Sequence, residues 1–124
     1  MANKKIYASG KLELGSCAKV IAFCPDSADL WNTYTTSSSS SPVASRDQIF
    51  WDTTAGVCTA ILPATPMLGA LVRLIDFKGM WGTNKLVVGR NGNKIQGASS
   101  DLDLTIPWDS CTLIYDGVDS WHLI

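Results

Sequence analysis

The fold class is decided by Leu71-Val-Arg-Leu-Ile-Asp-Phe77, Lys85-Leu-Val-Val-Gly-Arg-Asn-Gly-Asn-Lys-Ile-Gln-Gly97, Leu102-Asp-Leu-Thr-Ile106, Cys111-Thr-Leu-Ile-Tyr-Asp-Gly117 and Trp121-His-Leu-Ile124. These runs are short, rich in β-branched and aromatic residues, and separated by glycine, proline and asparagine, which is how a chain of strands reads. Leu102, Leu104, Ile106 and Trp108 alternate with Asp101, Asp103 and Thr105, the two-residue period of a half-buried strand. Asn91-Gly92 and Asp116-Gly117 are the pairs that most readily take positive φ at both central positions of a turn. They predict hairpins joining residues 85–90 to 93–96 and 111–116 to 120–124.

Upstream, Gln48-Ile-Phe-Trp-Asp52 leads through a Thr53-Thr-Ala-Gly56 turn into a second apolar run over residues 57–62. Pro63 and Pro66 flank a loop ending at Gly69, since a central strand does not tolerate proline. A Gly79/Gly82 loop carrying Met80 and Trp81 follows the strand of residues 70–77. Turn signals recur every 8–12 residues, and no segment holds a 3.6-residue period for three turns. The expectation is an all-β fold: a small β-sandwich or jelly-roll-like barrel of short antiparallel strands, with at most a short helical turn near the N-terminus. Asp26 or Ser27 would cap that turn.

The first part of the chain reads differently. Ala18-Lys-Val-Ile-Ala-Phe-Cys24 is one strand-like run, and Lys11-Leu-Glu-Leu14 is a short candidate partner. Ser37 to Ser41 are consecutive serines followed by Pro42, a stretch that buries too little to fix its own conformation. Two parts are therefore predicted: residues 1–47 as an N-terminal attachment arm with a serine-rich loop, and residues 48–124 as a β module.

Composition narrows the function classes. At 124 residues the chain is one domain by length, and it can bury about two thirds of its unfolded surface. Charged residues make up 17%, against about 25% in typical domains, and there are five tryptophans. That combination predicts that some apolar surface is spent on subunit contacts. Net charge is −1 with lysines and arginines scattered, so no basic stripe points to nucleic acid. No window is apolar enough for a membrane helix. Lys4 and Lys5 are not followed by the apolar run of a secretory signal, so the cysteines are expected to stay reduced in a cytoplasm. Cys17, Cys24, Cys58 and Cys111 then read as small buried hydrophobes.

Candidate chemistry is thin. Asp101 and Asp103 share a strand face within reach of Asp76 as a candidate third carboxylate, but no calcium-loop motif is present and Glu13 is the only glutamate. His122 is the only histidine, with no nucleophile or orienting group implied beside it. Gly89-Arg-Asn-Gly-Asn-Lys94 lacks the following helix of a phosphate loop. No cofactor and no catalytic residue are assigned, and the chain is not expected to be an enzyme. Among the tryptophans, Trp108 and Trp121 fall in apolar alternation and are expected in the core. Trp81, in a glycine-flanked loop beside Met80, is the leading candidate for an exposed aromatic, with a subunit or capsid contact and a core plug as its two main readings and a glycan contact as the third. Phe23, Trp31, Met80 and Trp81 are the interface candidates.

The order Asp52-Thr-Thr-Ala-Gly56, Thr59-Ala-Ile-Leu-Pro-Ala-Thr-Pro66, Gly69-Ala-Leu-Val-Arg-Leu-Ile-Asp76, Gly79-Met-Trp-Gly82 through Gly97, Leu102 to Ile106, and Leu113-Ile-Tyr-Asp-Gly117 with Trp121 resembles a module of tailed-bacteriophage structural proteins. That module occurs in tail-fibre, tail-spike and head-decoration proteins and usually assembles as a trimer. The resemblance spans roughly Gln48 to Ile124. It implies a non-enzymatic virion protein, assembled in a bacterial host cytoplasm. Its partners would be itself, as a homotrimer, and the major capsid protein or another virion structural protein, with no nucleic acid or membrane involved. With no fibre shaft attached, capsid decoration is the leading expectation, with residues 1–31 as the capsid-facing or inter-subunit segment. A tail-fibre or tail-spike component, and a carbohydrate-binding module, are the alternatives.

Overall fold

A computed structural model describes residues 31–124. Phe23, Cys17, Cys24, the strand-like run of residues 18–24 and the helical turn near Asp26 lie outside the described residues. The chain divides between Asn32 and Thr33, and the unit Thr33–Ile124 is all β. Its strands are β1 (Thr35–Ser37), β2 (Ser41–Pro42), β3 (Asp47–Trp51), β4 (Cys58–Ile61), β5 (Leu71–Asp76), β6 (Leu86–Gly89), β7 (Lys94–Ile95), β8 (Leu102–Leu104), β9 (Ser110–Tyr115) and β10 (Ser120–Leu123).

They form two sheets, ordered β1-β3-β5-β9-β10-β7 and β2-β4-β6-β8. Through β9 the chain changes sheet at every strand, and up to β5 each odd strand returns beside the previous odd one, whereas β9 takes the place beside β5 and β7 lies beyond β10. Strands β1, β3 and β5 are therefore parallel, with Thr35, Ile49 and Leu74 in register. In the facing sheet β2, β4 and β6 are parallel, with Ser41, Ala60 and Val88 in register. The result is a flattened coil whose rungs alternate between the two sheets. Only the last part reverses: β8 pairs antiparallel with β6, β9 with β5 and β10 with β9.

The sandwich expected from the sequence is present, but its strands are mixed in direction rather than antiparallel. The physical reason lies in the connections. A parallel pair needs a crossover, and here a strand of the opposite sheet supplies it in place of a helix.

The alternating burial of β4, β5 and β9 sends Cys58, Ala60, Val72, Leu74, Cys111, Leu113 and Tyr115 inward. Between the sheets they meet Ile49, Trp51, Leu86, Val88 and Trp121. Trp51, Trp81 and Trp121 are the largest fully buried side chains, and each brings the core far more apolar area than an aliphatic residue does.

Two local expectations change. The Asn91-Gly92 turn has the backbone that its sequence predicts, with φ of 50° and 94° and an Asn93 N–H to Arg90 carbonyl bond of 3.2 Å. It does not close a hairpin. It carries the chain from β6 in one sheet to β7 in the other, where β7 lies parallel to β10. The two-residue hairpin turn sits one step later, at Gln96-Gly97, where φ is 52° and 77° and Ile95 and Ala98 exchange both backbone hydrogen bonds. The serine-rich stretch, in turn, supplies the first rung of the coil as β1 and β2. Thr59 N–H donates to Ser40 Oγ at 2.8 Å and Asp52 N–H to the Ser37 carbonyl at 2.8 Å.

Candidate interaction surface

The strand predicted from Leu102 through Trp108 stops at Leu104, because Pro107 cannot donate to a ladder and restricts the residue before it. Residues 106–109 form a tight turn, with a long Asp109 N–H to Ile106 carbonyl bond of 3.4 Å. Pro107 fits the second position of a type II turn, whereas Trp108 occupies the third with φ of 64°, where glycine or asparagine is favoured. Left-handed backbone at a bulky residue costs roughly 1–2 kcal/mol, so something must hold it.

Asp76 holds it. Its buried carboxylate accepts the Met80 N–H at Oδ1 (3.1 Å) and the Trp81 and Trp108 N–H groups at Oδ2 (3.2 and 2.9 Å). Asp76 N–H in turn donates to the Asp109 carbonyl at 3.0 Å. One charge at the end of β5 thus fixes two loops. The Trp108 indole lies on Gly79, where an added Cβ would fall 2.2 Å from Cε2. Pro107 sits against Gly82, whose added Cβ would be 2.9 Å from the ring. Trp108 as a residue stays 71% exposed, beside Ile106 at 63%. A rigid apolar knob results.

At the other end of β5 lies a pocket of about 330 Å³ lined by Ser45, Arg46, Met67, Leu68, Gly69 and Ala70. Met67 and Leu68 are 81% and 77% exposed. Leu68 packs toward the β9–β10 hairpin, where a Cβ on Gly117 would come within 2.8 Å of it. Arg46 sits at the third position of a turn closed by Asp47 N–H to the Ala44 carbonyl (3.1 Å), with φ of 73°. Its guanidinium makes no ion pair among the described residues.

A third apolar surface is the outer face of the six-stranded sheet. Phe50, in register between Thr36 and Ile75, contacts Tyr34 at a centroid distance of 5.3 Å and Phe77 at 5.7 Å. Lys78 Nζ lies 4.9 Å from the Phe77 centroid.

The interface candidates read from sequence are redistributed by the fold. Trp81 is 1% exposed and plugs the core, whereas Trp108, expected inside, is the displayed indole. Met80 is half-buried beside Trp81, and Trp31 is half-buried too. Trp108 had a sequence signal in the proline before it. Met67 and Leu68 had one as well, being two large apolar residues in a Pro/Gly loop. Arg46 had none.

The titratable groups have structural roles. Asp101 accepts the Arg90 N–H at 3.0 Å and Asp103 pairs with Lys85 at 2.9 Å, so neither converges on Asp76. No group of three His, Cys, Asp or Glu residues among those described is placed to hold a metal. His122 Nε2 lies 2.9 Å from Asp116 Oδ2. That contact, with N–H donation from Val118, Ser120 and Asp119, holds the Asp116 carboxyl well below the usual carboxylate range. Cys58 and Cys111 are buried free thiols, and burial pushes Cys111 up to about 11. No family model and no curated protein matches the sequence.

Proposed function

We propose that this chain is a bacteriophage virion structural protein, a homotrimeric decoration protein that bridges neighbouring capsid subunits. The observation that carries the reading is the display of large apolar side chains at both ends of a rigid, charge-poor β unit: Ile106 and Trp108 at one end, Met67 and Leu68 at the other. Exposed apolar patches on a small module mark contact surfaces. The ordered turns and strands that resemble phage structural modules supply the biological setting. Three weak contacts engaged at once raise the effective concentration of each, so modest patches become a stable clamp.

Light scattering on the purified chain should give a trimer, and the trimer should add back to capsids stripped of accessory proteins in hundreds of copies. A monomer that leaves stripped capsids bare overturns the reading. A handful of copies per particle moves the protein to the tail, as a fibre or spike component. The carbohydrate-binding alternative draws on Trp108 rather than Trp81, because only Trp108 offers an open indole face. Glycan-array binding that disappears in Trp108→Ala would favour it.

A further inference from the structure

Four non-glycine residues among those described have positive φ: Arg46, Asn91, Gln96 and Trp108. Asparagine tolerates that conformation, and Gln96 shares a two-residue hairpin turn with Gly97. Arg46 and Trp108 have no such local reason. Both put a large, exposed side chain at the turn position that glycine would fill best. Strain of this kind persists where the side chain is needed.

We propose that these two side chains meet between copies of the chain: the Ile106-Pro107-Trp108 knob of one subunit seats in the Arg46/Met67/Leu68 pocket of the next. The inference rests on the self-associating reading above and names its contact. A cavity of about 330 Å³ is at the small end of ligand sites and suits one bulky side chain. Met67 and Leu68 supply apolar walls. The Arg46 guanidinium, in no ion pair among the described residues, supplies a cation for the indole face, the best aromatic acceptor of one.

Placement makes the contact intermolecular. Arg46 N–H bonds the carbonyl of Leu71, the first residue of β5, while Trp108 N–H bonds Asp76, the last. The two anchor points are the ends of a six-residue strand, five steps and roughly 17 Å apart at about 3.3 Å per step, so a subunit cannot fill its own pocket. A head-to-tail contact between different patches generates a ring when its rotation closes.

Sedimentation of the full chain across a concentration series, with Trp108→Gly and Arg46→Gly, tests this. Glycine is the residue each turn prefers, so both variants should fold, with far-UV circular dichroism matching the wild type. Each should nevertheless weaken association by about thirty-fold or more, the loss expected for a hot-spot residue. Assembly that persists in both variants keeps the trimer and overturns this contact. Loss in Trp108→Gly alone overturns the pocket as the seat of the knob. A wild-type chain that stays monomeric overturns both this contact and the self-associating reading.

Discussion

Asp76 does more for the arrangement of the apolar surface than any aromatic residue in it. A carboxylate that is 3% exposed and accepts three backbone N–H groups ties the Met80–Trp81 segment and the Trp108 turn to the end of β5. Asp76→Ala leaves those donors without their acceptor. Unsatisfied buried donors cost about 1–3 kcal/mol each, and partial relaxation of the loops toward water offsets some of that. A net loss of about 2–4 kcal/mol is expected in urea unfolding, with release of the displayed indole seen as a change in tryptophan emission. A loss near zero would show that Trp108 is held by other means. At this scale the sequence misleads for a definable reason. Alternation extends from Leu102 to Trp108, yet Pro107 breaks the ladder, so Trp108 is set by turn geometry and not by strand period. Trp81 sits in a loop by composition but is drawn inward because its own N–H and that of Met80 are both tied to the buried Asp76 carboxylate.

Elements were legible; their partners were not. Residues 48–51, 58–61, 71–76, 86–89 and 110–115 are strands where β-branched and aromatic runs placed them. The turn at Asn91-Gly92 also has the backbone its residues demand. What local chemistry does not encode is whether a tight turn returns the chain to the same sheet or passes it to the facing one. That choice is made by long-range bonds: Asn91 Nδ2 donates to the Leu62 carbonyl at 3.0 Å, and Asn93 Nδ2 to the Ala64 carbonyl at 3.1 Å. The β9–β10 hairpin, in contrast, closes on itself as its runs predict, although of the Asp116-Gly117 pair only Gly117 takes positive φ, at 81°. There Asp116 Oδ1 accepts the N–H groups of Val118 (2.8 Å), Asp119 (3.0 Å) and Ser120 (3.2 Å). Its depressed pKa gives a sign. The folded hairpin holds the ionised carboxylate, so the stabilisation is complete above the ordinary carboxylate pKa of about 3.9 and is lost as pH falls below it. Asp116→Asn keeps an acceptor oxygen but removes the titration, so the acid limb of its stability curve should flatten. An acid limb identical to wild type would remove Asp116 from this account.

For the whole molecule, the boundary of the folding unit is the main consequence of the coil. The serine-rich segment buries almost nothing itself, apart from Val43 at 5% exposure, which is why composition marks it as a loop. Its contribution is backbone pairing: β1 covers the edge of β3, and β2 covers the edge of β4. Val43 N–H adds a bond of 2.9 Å to the Ile61 carbonyl. A chain beginning at Thr33 retains both rungs and should unfold in a single cooperative urea transition. A chain beginning at Gln48 keeps most of the apolar core but bares the β3 and β4 edges together. Those strands carry Ile49, Phe50, Trp51 and Ile61, and unguarded apolar edges recruit strands from other chains. The shorter chain should therefore aggregate in light scattering under conditions where the longer one is uniform, and its unfolding midpoint should fall. Equal midpoints and equal scattering for the two chains would mean that β1 and β2 are ornamental and that the module starts at Gln48, as composition alone suggests. The coil predicts the opposite, because its first rung is the only structure among the described residues that separates those edges from solvent.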